Sequence, residues 1–253
     1  MGDNFFNHLA DVCHRLLLDN DDLMRYLRDG RKMTDRTIKT YKLGAFPTDL
    51  RDLYSKHDMN PKELREQGII INADYSSFKL YPIVIPVRDL SGKCIAIGCR
   101  TLLSEEKRKE RGIPKYRNSV YKKTSHLFGL DTAIEAIRQL DKVFVVEGYF
   151  DAIQAQQHGM SNVVATCGTM FSEKQLITLA RYTENICLLF DNDDPGRRSA
   201  KKIMDKFRNF DGSIKLIYAF TPNGHKDLDE YLSNGGDMKY FDRIKDPEIK
   251  SLW

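Results

Sequence analysis

The feature that most constrains this chain is an alternation that begins near Leu130. Short runs rich in branched aliphatics, Val143–Val146, Val163–Thr166, Ile186–Phe190 and Ile214–Phe220, are separated by longer stretches with apolar residues every three or four positions. Those stretches are Thr132–Leu140, Phe150–His158, Glu173–Arg181 and Gly196–Phe207. Continuous apolar runs suit strands buried on both faces, and helix-length spacers read as crossovers. Strands joined in this way lie parallel through right-handed connections. The pattern predicts an α/β domain with a mainly parallel sheet flanked by helices. In such sheets ligands bind beyond the carboxyl ends of the strands, at a switch point in strand order.

Acidic residues occupy those ends. Glu147 directly follows Val143–Val146, and Asp191 directly follows Ile186–Phe190. Asp193 lies two residues on, and in an extended segment alternate side chains point the same way. Singly, each acid reads as a strand-end cap or turn former. Together they repel one another unless a cation intervenes, and hard oxygen donors suit Mg²⁺ or Mn²⁺. Asp151 falls on the first turn of the next helix, where it is expected to support the site or stabilise the helix start. Asp227 and Asp229 follow the last strand run and are candidates for a further metal ion.

The first half reads differently. Phe5, Phe6, Leu9, Val12, Cys13, Leu16 and Leu17 predict a helix, a second is expected near Asp21–Leu27, and a third opens at Thr34. Pro61 reads as a first-turn proline. Leu80–Val87, the turn Asp89–Gly92 and Cys94–Arg100 predict a hairpin. Between Arg88 and Lys123 stand eleven Lys/Arg against four Asp/Glu, which marks a candidate polyanion surface although the formal net charge is only +4. Within it, Glu105–Arg111 reads as a solvated helix face. The five cysteines form no pair or Cys/His grouping with zinc spacing, so no zinc site is expected and buried thiols in a reducing compartment are. No apolar run reaches the roughly 18 residues of a membrane span. The start lacks the features of a secretory signal, so a cytoplasmic location is expected.

Three segments, Glu147-Gly148-Tyr149-Phe150-Asp151, Phe190-Asp191-Asn192-Asp193-Asp194-Pro195-Gly196-Arg197 and Asp227-Leu228-Asp229, resemble the successive motifs of the TOPRIM fold. Upstream, Ile85–Asp89 with Gly92 and Ile97–Arg100, then Lys115–Ser119, Tyr121–Lys123 and Leu127–Leu130, resemble the matching segments of DnaG-type primases. Ala165–Thr169 is similar to a further motif of that family. The likeness runs from about Met24 to about Leu232.

The resemblance implies a basic α+β primase subdomain over 1–130, a TOPRIM catalytic domain over 131–240 and a C-terminal tail over 241–253. In that family the first subdomain faces the TOPRIM sheet across a cleft. It implies template-directed synthesis of short RNA primers on single-stranded DNA, with Glu147, Asp191 and Asp193 catalytic and metal-binding. Arg100, Lys115, Asn118, Lys123 and Arg197 are then expected to bind template or ribonucleoside triphosphates. A TOPRIM-type nuclease and a non-catalytic single-stranded-DNA-binding subunit are the alternatives; the basic upstream segments argue against the first and the retained acids against the second. The family's zinc module and helicase-binding region have no counterpart in this sequence. A phage or mobile-element primase, or the core of a longer protein, is therefore expected, with a replicative helicase or a separate zinc-bearing template-recognition protein as partner.

Overall fold

The computed structural model describes residues 5–72, 75–168, 170–208, 210, 213–222, 224–237 and 239–242, and the chain divides into two compact units, 1–121 and 122–253. The tail expected from residue 241 lies, past Asp242, outside the described residues.

The first unit opens with α1 (Phe5–Leu18), whose Phe5, Leu9, Val12, Cys13 and Leu17 are buried at the spacing of one helical face. Next is α2 (Asp21–Arg25), started by Asn20 Oδ1, which accepts from Leu23 N at 3.0 Å. Its expected continuation to Leu27 widens instead into a π-turn over Tyr26–Gly30. There follow α3 (Asp35–Thr40), capped by Thr34, β1 (Gly44–Ala45), α4 (Asp52–Ser55) and α5 (Pro61–Glu66), with Asn60 as cap and Pro61 in its first turn. The hairpin is β2 (Ile83–Arg88) and β3 (Cys94–Arg100). Asp89 Oδ1 holds its turn by accepting from Ser91 N at 2.9 Å and Lys93 N at 3.2 Å, and Gly92 supplies the positive φ of 82°. α6 (Glu105–Arg111) buries no residue, as a solvated face should, and β4 (Tyr116–Asn118) completes an antiparallel sheet of order β1-β2-β3-β4. Leu9, Val12 and Cys13 of α1 pack with Val84, Ile97 and Cys99 of the sheet in one core.

The second unit carries α7 (Leu130–Leu140), β5 (Val143–Val146), α8 (Tyr149–Gln157), β6 (Val163–Ala165), α9 (Glu173–Ala180), β7 (Asn185–Phe190), α10 (Asp194–Phe207), β8 (Lys215–Phe220), α11 (Leu228–Ser233) and the short α12 (Lys239–Asp242). All four strands are parallel, in the order β6-β5-β7-β8. The chain goes from β5 to β6 on one side and then to β7 and β8 on the other, so the order reverses between β5 and β7. Val145, Val164, Ile186 and Leu188 pack with Ala133, Ile137, Leu176, Leu179 and Ile203 from the flanking helices. Residues 122–130 belong to this unit: Phe128 bridges to Ala165, and the turn at Lys123–Ser125 is bonded to α9.

All five cysteines are free and buried, and burial pushes the Cys94 thiol up to about 11 and the Cys13 and Cys187 thiols up to about 12. They act as small apolar fillers. Among the described residues no helix is long and apolar enough to cross a membrane.

Candidate functional site

The reversal between β5 and β7 sets the site. Glu147 leaves the end of β5 and Asp191 the end of β7, and Glu147 Oε1 accepts from Asp191 N at 3.4 Å. Gly196 lets α10 begin hard against this point, because a Cβ there would collide with the Asp191 carbonyl oxygen. Gly148 has a comparable reason, since its Cβ would sit 2.5 Å from Asp151 Oδ2.

The electrostatics converge on Asp191. Burial first, then the charges of Asp151, Glu147, Asp227 and Asp193, push its carboxyl up to about 8. Four acids from three strand ends therefore act on a fifth. Such a site holds a proton at neutral pH where a cation would otherwise discharge it. An all-oxygen donor set fits Mg²⁺ or Mn²⁺. Among the described residues no three acid, His or Cys side chains are drawn close enough to grip one ion as they stand.

The acids are engaged with backbone N–H groups. Asp193 Oδ1 accepts from Gly196 N at 2.8 Å and caps α10, and Asp227 Oδ1 accepts from Glu230 N at 2.8 Å and caps α11. Both carry the extended backbone of N-cap residues, with φ of −131° and −133°. Asp151 is buried and ties the edge together, its Oδ2 accepting from Gly148 N and its Oδ1 from Asp229 N, both at 3.1 Å. Asp229 is itself buried, with Ser233 Oγ 3.5 Å from its Oδ1.

The expected basic residues are held in varied ways. Arg197 Nη2 donates to Asn192 Oδ1 at 2.6 Å, and its guanidinium stacks 4.7 Å from the Phe220 ring centroid. Lys123 is half-buried, and burial holds its ammonium below the usual lysine range while the Cys167 thiol acts on it in the opposite sense. Cys167 stands at a positive φ of 58° just past β6, and its N–H donates to the Glu147 carbonyl at 3.0 Å. In the first unit Arg100 Nε donates to Tyr26 Oη at 3.0 Å and Nη1 to Tyr116 Oη at 2.7 Å. Lys115 is exposed, its ammonium 5.8 Å from the Tyr116 centroid, and Asn118 pairs with Gly98 in the sheet.

Tyr116 and Asn192 stand in the sequence motifs without an assigned role, and Tyr26 and Gln175 lie outside them. Gln175 had a readable signal, the Ser172-x-x-Gln175 spacing of a capping box; Tyr26 had none.

Two family models match in sequence order, "DNA primase catalytic core, N-terminal domain" over residues 13–134 and "Toprim-like" over 144–232. A DNA primase of Synechococcus elongatus is 34% identical over 223 residues, covering 82% of this chain and 31% of that protein. One of Legionella pneumophila is 29% identical over 256 residues, covering 96% of this chain and 43% of that protein. The chain thus spans less than half the length of these curated relatives. The crystal structure of a DNA primase domain from Pseudomonas aeruginosa superposes with a TM-score of 0.80 at 29% identity, covering 96% of this chain and 77% of that one.

Proposed function

This chain belongs to the DnaG-type primase family, with a TOPRIM catalytic half, and we propose on that footing that it makes short RNA primers on single-stranded DNA by nucleotidyl transfer. The observation that carries this reading is the partly buried Asp191 carboxyl at the switch point of the parallel sheet, with four further acids acting on it. Glu147, Asp191 and Asp193 would hold Mg²⁺ or Mn²⁺, with Asp227 and Asp229 around a further ion. Bound there, the metal supplies charge neutralisation for the triphosphate and acidifies the attacking 3′-hydroxyl.

The chain's own residues do the positioning. Asp151 fixes the first turn of α8 to the start of α11, which sets the distance between the Glu147 and Asp229 ends of the edge. Asp193 and Asp227 are aimed by their helix caps, so their carboxylates are ordered before substrate arrives. Lys123 beside Cys167, Arg197 at the start of α10, and Arg100, Lys115 and Asn118 in the first unit are the groups for template and nucleotide phosphates. Arginine suits bidentate contact and lysine a point charge. No side-chain nucleophile is needed.

Ribonucleoside triphosphates are the proposed substrates. A replicative helicase or a zinc-bearing template-recognition protein in the same cytosolic machinery is the proposed partner. Incubation with single-stranded DNA, the four ribonucleotides and Mg²⁺ or Mn²⁺ tests the reading. New RNA oligomers are expected; shortened template would mean a nuclease, and retention of DNA without either product a binding subunit.

A further inference from the structure

Gln175 has no exposed surface, and each half of its side-chain amide is used. Its Oε1 accepts from Ser172 N at 2.9 Å while Ser172 Oγ accepts from Gln175 N at 3.1 Å, the reciprocal pair of a capping box. That pair asks only for an acceptor at the third helical position, and glutamate supplies one as well as glutamine does. The amide nitrogen goes further. Nε2 donates to the Lys123 carbonyl at 3.1 Å and to the His126 carbonyl at 2.8 Å, and Ser172 Oγ donates to the Thr124 carbonyl at 2.6 Å. Three carbonyls of one turn are thus tied to the first turn of α9. The same turn carries the half-buried Lys123, whose ammonium interacts with Cys167, the residue whose N–H donates to the Glu147 carbonyl at the end of β5.

We propose that Gln175 is a positioning residue for Lys123: with both hydrogens of its amide it fixes the 122–126 turn and so aims the Lys123 ammonium along the acidic edge. Lysine is a flexible point charge that loses rotamer entropy when held. Burial of its stem and a fixed backbone reduce what remains to be ordered when an anionic substrate binds. Gln175 touches no substrate and acts only through the turn. The inference rests on the reading of Lys123 as a phosphate-binding residue.

A double-mutant cycle of Gln175→Glu and Lys123→Ala tests it. Gln175→Glu keeps the acceptor that the capping box needs and replaces both donors with an oxygen facing two carbonyls. Primer synthesis is read as kcat and KM for ribonucleotide, beside single-stranded oligodeoxynucleotide affinity and Tm. In the wild-type background Gln175→Glu is expected to lower kcat/KM roughly ten- to a hundredfold, the scale of a small misplacement. In the Lys123→Ala background it should lower kcat/KM no further, while Tm falls equally in both. Equal losses of kcat/KM in the two backgrounds, or a fall in Tm alone, would overturn the proposal. If Lys123→Ala itself changes nothing, the phosphate-binding reading of Lys123 has failed, and the positioning role with it. Gln175→Leu, of similar bulk and without charge, runs the same cycle should the glutamate variant not fold.

Discussion

The acids of the second unit's sheet edge and the candidate cations of the first unit's sheet are held by different physical means. In the second, carboxylates sit where strands of a parallel sheet end, and backbone N–H groups at the starts of α10 and α11 aim two of them. In the first, two of the candidate cations lie against aromatic partners: Arg100 is gripped by the hydroxyls of Tyr26 and Tyr116 and lies 5.3 Å from the Tyr116 centroid, with Lys115 near the same ring. A parallel topology places charge by connectivity, which any strand-ending acid inherits. An antiparallel sheet places charge by tertiary contact, one side chain at a time.

The division can be broken first at the acids, where the largest effect is expected. Glu147→Gln, Asp191→Asn or Asp193→Asn should each cut primer synthesis by about a hundredfold or more while the protein stays folded. Asparagine at 193 remains a good N-cap, so α10 keeps its start. A near-wild-type rate in any of the three at matched Mg²⁺ would remove that residue from the site.

A pH series sharpens the same side. The Asp191 carboxyl is raised to about 8 in the folded chain, above its unfolded value. Its contribution to metal-free stability is therefore fully present below the unfolded value and is lost as pH rises through about 8. The Tm of Asp191→Asn measured in chelator should gain on wild type as pH climbs to that point and gain no more beyond it. A difference that stays constant with pH would mean the carboxyl is not perturbed.

The basic side predicts a smaller change. Lys115→Ala, Lys123→Ala and Arg100→Ala should flatten the slope of log affinity for single-stranded DNA against log salt by about 0.7 for each phosphate that is no longer neutralised. Unchanged slopes and unchanged nucleotide affinity in all three would reduce these residues to surface charge. The smallest effect belongs to α6, which buries nothing. Lys107→Ala should leave the slope as it was and shift stability by less than about 0.5 kcal/mol. A changed slope would make that helix part of the polyanion surface.

How much of this the sequence carried follows from the same contrast. The strand runs from Val143 to Phe220 could be read because buried parallel strands leave continuous apolar stretches, and the acids just past them follow from chain order. The caps at Asp193 and Asp227 were half legible, since strand-end acids are common turn and cap formers, but which role each takes depends on where Gly196 N and Glu230 N point. The grip on Arg100 was hidden. Tyr26 reaches it across 74 residues from a π-turn that interrupts an ordinary helical pattern, and no local spacing encodes such a contact. Gln175 lay between: its capping-box spacing is local, while its two further bonds reach residues 49 and 52 positions away.

The cation site assembled around Asp191 is open to direct measurement through Mn²⁺ uptake, followed by the loss of the free-ion EPR signal. Wild-type protein is expected to take up Mn²⁺ with an affinity that rises with pH to about 8, as the proton on Asp191 ceases to compete. Asp191→Asn should lose most of that uptake and its pH dependence while keeping a wild-type circular dichroism spectrum. Equal uptake by the two proteins with the same pH profile would mean that no cation site is centred on Asp191.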